Sequence, residues 1–253
     1  MKQIKPKNAY QASQKSPSFE RLFLILFIFL MVLIFINSGL FTVRDFVVQG
    51  NQSISTEDIL LGTDLSHENI FQVNPQEVKR KILQNPKIAS VELKKIFPNK
   101  LLISIRERLP LCMVLYRENS VIIGNDRVVM DIRDKNAPIN LPIITGIVLK
   151  RVTIGQPIRS PEFSLVMGIF KNVDETLHQN ISEINVTNYQ IYLDLPNCHH
   201  TIKVDLGNPS QIEKKMYNLR AILSQTSPEK LAKIDLRVPD APTTIKLPKD
   251  QPK

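Results

Sequence analysis

The sequence predicts an α+β fold that a single helix attaches to a membrane. An uninterrupted run of fifteen apolar residues, Leu22–Ile36, lies near the amino terminus. Residues 87–110 alternate between apolar and polar twice over, as half-buried β-hairpins do. Beyond them, short apolar runs separated by turn residues alternate with two helical patterns. The 253-residue chain is long enough for one large domain or two ordinary ones without disulfide staples.

Basic residues are concentrated before the apolar run. The chain has 33 Lys and Arg against 24 Asp and Glu, a net charge of +9. Residues 1–21 hold nearly half of that excess. The charged residues there are Lys2, Lys5, Lys7, Lys15, Arg21 and Glu20. The rest of the charge is spread thinly, with no basic stripe interleaved with aromatic residues, so we expect no nucleic-acid partner.

The apolar run predicts a transmembrane helix over residues 22–41. Twenty helical residues span about 30 Å, the thickness of a bilayer's hydrocarbon core. By the positive-inside rule, the amino terminus is cytoplasmic, residues 1–21 form a basic cytoplasmic tail, and the rest of this single-pass type II protein is extracytoplasmic. A cleaved signal peptide is the alternative, because small residues follow the apolar core at 37–39. The long leader and the lack of an A-x-A pattern favour the anchor.

After the anchor, the predicted order is strand, helix, helix, strand, strand. Residues 43–50 have strand composition. Ser55 is predicted to cap a short helix over 56–61. Asn74 is predicted to cap a second helix that starts at Pro75. Its apolar side carries Val78 and Ile82, one turn apart.

The hairpin over residues 87–110 has one apolar face that needs a cover, and the two helices supply it. The residues predicted on that face are Ala89, Val91, Leu93, Leu101, Ile103 and Ile105. Pro98 and Asn99 are predicted to form the turn, because proline fixes φ at the first turn position and asparagine tolerates the second.

This order of elements resembles the POTRA (polypeptide-transport-associated) domain, in the version found in the bacterial cell-division family FtsQ/DivIB. The positions that carry the resemblance are Gly50, Asn51, Pro86, Phe97, Pro98, Asn99, Ile103, Ile105, Glu107 and Pro110. The predicted POTRA domain covers residues 42–110. Glu107 is either a solvated strand residue or a carboxylate that ties the strand end to a nearby backbone amide or cation.

Residues 111–247 are predicted to form a mixed, mostly antiparallel β-domain with flanking helices, similar to the β-domain of the same family. Gly124–Asn125 between two apolar runs predicts a hairpin. One helix is predicted from Ser160 to about His178, and another over 211–223 after Asn208. Strands are predicted at 182–187, 190–195, 201–206, 233–238 and 243–247. Residues 248–253 are expected to form a disordered tail.

The sequence offers little chemistry for catalysis. Cys112 is expected to be a small buried hydrophobe, and a bridge to Cys198 stays open. His199 and His200 are adjacent rather than at metal-ligand spacing, which favours an exposed turn over a metal site. Because no catalytic or phosphate-binding motif is found, we expect no cofactor, small-molecule substrate or enzymatic activity.

The last predicted strand is the candidate partner-binding site. Prolines flank it on both sides, which suits a sheet edge better than a sheet centre. Its residues are Thr243, Thr244, Ile245, Lys246 and Leu247. An edge strand can accept a strand from a partner, or it can be an edge that its lysine and prolines protect. The resemblance implies FtsB (DivIC in Gram-positive species) as the partner, with FtsL and other divisome membrane proteins alongside.

The resemblance further implies a non-enzymatic scaffold at the division septum. Such a protein links cytoplasmic and extracytoplasmic division proteins and helps control septal cell-wall synthesis. Two alternatives stay open. One is an anchored or secreted enzyme that acts on the cell wall. The other is a POTRA-type transport chaperone, which normally carries several POTRA copies ahead of a membrane barrel.

Overall fold

The computed structural model describes residues 17–63, 65, 68–196 and 198–247. Helix α1 is Pro17–Ile36, and its stretch Phe19–Ile36 has no buried residue and a mean hydropathy of 2.7. Among the described residues it is the one helix long and apolar enough to cross a membrane. It ends before the predicted residue 41, because the Asn37 side chain bonds the Leu33 carbonyl at 2.8 Å and the chain turns. The predicted tail at 248–253, and the basic tail as far as residue 16, lie outside the described residues.

The first sheet has three strands and two covering helices, as predicted. Its elements are β1 Asp45–Gln49, α2 Thr56–Leu60, α3 Pro75–Ile82, β2 Ile88–Ile96 and β3 Lys100–Glu107. The strand order is β1-β3-β2, with β1 parallel to β3 and β2 antiparallel to it. The two helices and the inner face of the sheet share one hydrophobic core.

Both predicted helix caps are present. Ser55 Oγ accepts a hydrogen bond from the Asp58 amide at 3.1 Å, and Asn74 Oδ1 accepts one from the Gln76 amide at 3.1 Å. Each cap satisfies a backbone N–H group that has no partner within its helix. The apolar side of α3 is buried, as its periodicity predicts.

The hairpin β2–β3 differs from its prediction at two places. On β3, the three predicted residues Leu101, Ile103 and Ile105 are buried. On β2, the predicted Ala89 is replaced in the core by Ile88, because a β-bulge between Ile88 and Ser90 shifts the alternation by one residue. The turn contains a cis Phe97–Pro98 peptide bond, which the turn prediction did not include.

The second sheet has nine strands and is mostly antiparallel, as predicted. Its strands are β4 Pro110–Tyr116, β5 Asn119–Gly124, β6 Val129–Asp134, β7 Ile143–Thr145, β8 Ile181–Asn185, β9 Gln190–Leu193, β10 Ile202–Asp205, β11 Leu231–Asp235 and β12 Thr243–Lys246. The order is β12-β11-β10-β9-β8-β7-β4-β5-β6, so β12 and β6 are its edges. Three pairs are parallel: β4 with β7, β7 with β8, and β10 with β11.

The helices of this half are α4 Phe163–Lys171, α5 Glu175–Asn180 and α6 Ile212–Gln225. The prediction of one helix from Ser160 to His178 is wrong. The Asn172 side chain donates to the Gly168 carbonyl at 2.8 Å and ends α4, and Asp174 caps α5 by accepting from the Leu177 amide at 2.8 Å. Helices α4 and α6 contribute Phe163, Ile169, Met216 and Leu219 to the core of the sheet.

The buried face of the second sheet includes Cys112, which is fully buried in β4 as predicted. Cys112 and Cys198 are both free thiols. The predicted hairpin at Gly124–Asn125 is confirmed, since β5 and β6 pair antiparallel on either side of it.

Arg108 joins the two sheets at their boundary. Its guanidinium Nη1 donates to the Pro86 carbonyl before β2, and its Nε bonds Asp126, between β5 and β6, at 2.8 Å. Its backbone N–H donates to Lys87 at 2.7 Å. The carbonyl of the next residue, Leu109, accepts a hydrogen bond from the Asn125 amide at 3.0 Å. Side-chain and backbone bonds therefore hold the two halves together at a junction without a linker.

Candidate partner-binding edge

Three of the residues that suggested the POTRA resemblance, Gly50, Asn51 and Glu107, lie together at the end of β3, whereas residues 97–99 form the turn before that strand. The Glu107 carboxylate accepts hydrogen bonds from the backbone amides of residues 52, 53 and 54 at 2.6–3.1 Å, and from the Ser53 hydroxyl. Of the two interpretations of Glu107, the structure supports the carboxylate that ties the strand end to backbone amides. It fixes the loop between β1 and α2 against β3.

Gly50 and Asn51 complete the same arrangement. Gly50 has φ +85°, and a Cβ atom there would overlap the Ile105 carbonyl oxygen. Only glycine fits this close approach of β1 to β3. The Asn51 side chain donates to the Ile54 carbonyl at 3.0 Å. These residues position the loop between β1 and α2.

The pKa of Glu107 reflects these contacts. Burial alone would raise it, but the hydrogen bonds from the Ser53 hydroxyl and from three backbone amides together lower it below its ordinary value. The ionised carboxylate is therefore the form that the folded state stabilises.

Strand β12 is exposed along its whole length. All residues from Thr243 to Leu247 are exposed, and Ile245 keeps 55% of its surface open to solvent. Ile245 pairs with Lys233 and therefore lies on the sheet face opposite the buried Ile234. Leu247, two residues on, follows Ile245 on that face. The edge thus offers two apolar side chains beside its backbone.

The register shows which backbone groups of β12 are free to pair. The Leu247 amide donates to the Lys230 carbonyl of the neighbouring chain segment at 2.9 Å. Because N–H groups of alternate residues in a strand point to opposite sides, those of Thr243 and Ile245 point toward β11 as well. The N–H and C=O groups of Thr244 and Lys246 therefore point outward, where an added strand would bind.

Helix α6 holds the loop before β12 from behind. Asn218 Nδ2 donates to the Pro239 carbonyl at 2.6 Å, and Lys214 forms an ion pair with Asp240 in the same loop. The Ala241 amide closes a turn onto the Val238 carbonyl at 3.1 Å. Since α6 is packed in the core, these contacts fix the place where β12 begins.

Charged residues on the open face of the sheet pair with one another near β12. Lys233 bonds Asp205 at 3.1 Å, and Arg237 bonds Asp235 through its Nε and Nη2 atoms. The hydrogen bond from the Arg237 side chain is the main reason that the pKa of Asp235 lies below its ordinary value. The Lys233–Asp205 pair connects β11 to β10, and β11 in turn pairs with β12.

The other edge of the sheet is covered in part. Backbone bonds join Val129, at the start of β6, to Gly155 and Gln156 at 2.9–3.0 Å. Farther along, the Asp131 side chain accepts from the Ile132 amide at 2.9 Å and so occupies an outward donor. By contrast, no described residue covers β12, which makes it the better template for an added strand.

Sequence reasoning missed a buried lysine behind this site. Lys215 on α6 is fully buried, and its ammonium donates to Leu206 O, Asn208 O and Asn208 Oδ1 at 2.8–3.0 Å. Asn208 therefore binds the lysine ammonium and does not cap α6. The residue before the helix is Gln211, whose backbone is in the left-handed conformation. The signal was available: Lys215 lies three residues after Ile212 and four before Leu219, on the apolar stripe.

The histidines considered as metal ligands do not converge on a site. His200 Nε2 donates to the Leu231 carbonyl at 2.7 Å and so braces the start of β11. Within the part of the chain that the structure describes, no three His, Cys, Asp or Glu residues are placed to hold a metal ion.

The fold defines a class of protein: an apolar amino-terminal helix followed by one POTRA domain and a larger mixed sheet with a free edge. The FtsQ-type POTRA domain family matches residues 41–108, and the family described as FtsQ/DivIB, C-terminal related, matches residues 109–237. The chain belongs to the FtsQ/DivIB family of cell division proteins. The matched region ends before β12.

Curated relatives agree with this assignment. Cell division protein DivIB of Clostridium tetani is 29% identical over 206 residues, covering 80% of this chain and 77% of the relative. DivIB of Clostridium acetobutylicum is 26% identical, covering 78% and 79%. Cell division protein FtsQ of Syntrophotalea carbinolica is 30% identical over 44% of this chain and 39% of its own length. Together with the apolar helix, these findings indicate a membrane-anchored division protein whose partners are membrane proteins of the divisome.

Proposed function

We propose that the chain is a non-enzymatic scaffold of the divisome that binds FtsB/DivIC by strand addition to β12, with FtsL in the same complex. The observation that carries this proposal is the free edge of β12, where Thr244 and Lys246 direct unpaired backbone groups outward beside exposed Ile245 and Leu247. An added strand would supply main-chain hydrogen bonds for affinity and side-chain contacts for specificity.

The proposed topology follows from charge. The excess of basic residues before α1 favours a cytoplasmic amino terminus, with residues 42–110 and 111–247 as two extracytoplasmic domains. Confinement to the membrane plane raises the effective concentration of the edge toward partners that are also anchored there. Through these contacts the protein would link cytoplasmic division proteins to septal cell-wall synthesis and help control it.

The experiment compares Thr244→Pro with Thr244→Ala in the full chain, reconstituted in nanodiscs. Proline removes the outward N–H of Thr244 and leaves the inward pairing with β11 intact, whereas alanine keeps the N–H and removes only the side chain. We expect proline to weaken binding of the extracytoplasmic part of FtsB/DivIC about tenfold and alanine to change it little. Lys246→Pro tests the second outward donor in the same way.

Ile245→Pro is not a clean test, because the Ile245 N–H points toward β11 and its loss would disturb the strand itself. Equal binding by Thr244→Pro and the unchanged protein would contradict the edge site. In cells, a fluorescent fusion is expected to collect at midcell, and depletion is expected to give filaments without septa. Normal septation after depletion would contradict the scaffold function.

A further inference from the structure

Four phenylalanine rings form a continuous chain from the end of α1 to the tip of the β2–β3 hairpin. The ring centroids of Phe35 and Phe41 lie 5.2 Å apart, those of Phe41 and Phe71 5.0 Å, and those of Phe71 and Phe97 5.2 Å. Phe35 is the last residue but one of α1. The apolar surface of the helix therefore continues onto the first sheet. We call these four residues the aromatic patch.

Hydrogen bonds hold the patch against the end of the helix. Asn69 Nδ2 donates to the Ile36 carbonyl, the last of α1, at 2.7 Å. The Ile70 amide donates to the Phe41 carbonyl at 2.8 Å, and the Arg44 amide donates to the Asn99 carbonyl in the hairpin turn at 3.1 Å. The segments that carry Phe71 and Phe97 are thus bonded directly to the residues that leave the helix.

The outer half of the patch is exposed. Phe71 keeps 45% and Phe97 56% of its surface open, while Phe41 packs partly against the core of the first sheet. Cationic residues lie close to it in sequence: Arg44 follows Phe41 by three residues and is exposed, and exposed Lys100 and half-buried Lys95 are on either side of the turn that contains Phe97. Two carboxylates lie near them, Asp45, which is 3.6 Å from the Lys100 ammonium, and exposed Glu68.

We propose that the aromatic patch seats the first sheet in the headgroup layer of the membrane that α1 crosses. The occupant is lipid because the patch is continuous with the membrane helix. Aromatic rings with flanking cations are the side chains that favour this layer. This inference rests on the proposed anchoring role of α1.

Tryptophan fluorescence tests whether the aromatic patch lies in the headgroup layer. The chain contains no tryptophan, so the signal of each variant comes from the introduced residue. Phe97→Trp and Phe71→Trp each place one reporter in the patch of the full chain. The vesicles contain phosphatidylethanolamine and phosphatidylglycerol, with or without brominated phosphatidylcholine as a quencher. Phe27→Trp, within α1, is the control for insertion of the anchor.

The control for a solvent-exposed reporter is Leu61→Trp. Leu61 is 80% exposed and lines a groove with Met130 of the second sheet. We expect emission of the two patch reporters to shift to shorter wavelength and to be quenched several-fold more by brominated lipid than that of Leu61→Trp. Melting temperatures of the variants check that each one folds.

Three outcomes would overturn the proposal. In the first, the patch reporters are quenched no more than Leu61→Trp while Phe27→Trp is strongly quenched. The patch would then lie outside the headgroup layer although α1 is inserted. A shift to shorter wavelength that brominated lipid does not quench would show that protein, such as a second copy of this chain, covers the patch. An unquenched Phe27→Trp would overturn the anchor and with it the seat.

Discussion

The side-chain amide of Asn218 on α6 donates a hydrogen bond to the backbone carbonyl of Pro239 at 2.6 Å. This contact joins a helix packed in the core to the loop that leads into the free edge strand. Its presence means that the start of β12 is positioned before any partner arrives, which lowers the ordering cost of binding.

The first prediction concerns this contact. Asn218→Ala should weaken binding of FtsB/DivIC several-fold, because one hydrogen bond contributes about 0.5–1.5 kcal/mol and tenfold affinity corresponds to about 1.4 kcal/mol. Titration calorimetry in nanodiscs measures the change. Ser224→Ala is the control on the same helix, since its hydroxyl bonds only the Ala221 carbonyl. Identical affinities of the two variants would contradict a role for the loop.

The second prediction concerns pH. The lowered pKa of Glu107 means that its contribution to stability is present above the ordinary value of 4.5 and is lost as the pH falls through the folded-state pKa. Glu107→Gln should lower the free energy of unfolding by about 1 kcal/mol near neutral pH, because a neutral acceptor replaces a charged one. The difference between the two proteins should shrink below pH 4.5. Urea unfolding curves at several pH values measure it, and a constant difference would contradict the assignment.

The third prediction concerns Lys215. Lys215→Met keeps the length of the side chain but leaves the acceptors on Leu206 and Asn208 without their buried donor. We expect a loss of about 1–3 kcal/mol in the free energy of unfolding. Burial lowers the pKa of Lys215 below its ordinary 10.5, so the unfolded state binds more protons in the alkaline range. The stability of the unchanged protein relative to Lys215→Met should therefore rise as the pH approaches 10.5.

The fourth prediction compares two glycines. Gly50→Ala combines a left-handed backbone with overlap on the Ile105 carbonyl, whereas Gly62→Ala, at φ +77°, meets nothing within 4 Å. Gly62→Ala should cost only the backbone term of about 1–2 kcal/mol. Gly50→Ala should cost clearly more. Thermal unfolding followed by circular dichroism ranks the two, and equal melting temperatures would show that the approach of β1 to β3 relaxes freely.

Local patterns predicted much of this fold because they act over a few residues. The caps at Ser55 and Asn74, and the alternation of Leu101, Ile103 and Ile105, depend on neighbours in sequence. The bulge at Ala89 depends on pairing across the sheet, and the end of α4 depends on whether Asn172 turns back to its own helix. Neither has a distinct local signal. Strand β7, between β4 and β8, is held by two parallel pairings that only the complete fold creates.

The edge position of β12 was predictable for a different reason. The prolines that flank Thr243–Lys246 favour an edge over a central strand, because they interrupt backbone pairing on either side of it. Which of its N–H groups point outward does not follow. That depends on the register with β11 and on the bond from Leu247 to Lys230, both of which involve distant residues.

Arg108 has a mechanical consequence. Because its guanidinium bridges Pro86 and Asp126, side-chain bonds connect the two sheets in addition to the chain that runs between them. The Asn69 side chain similarly connects the half that contains the first sheet to the last carbonyl of α1. If a partner chain binds β12 as proposed, we expect a force on that strand to tilt both sheets and α1 together as one body.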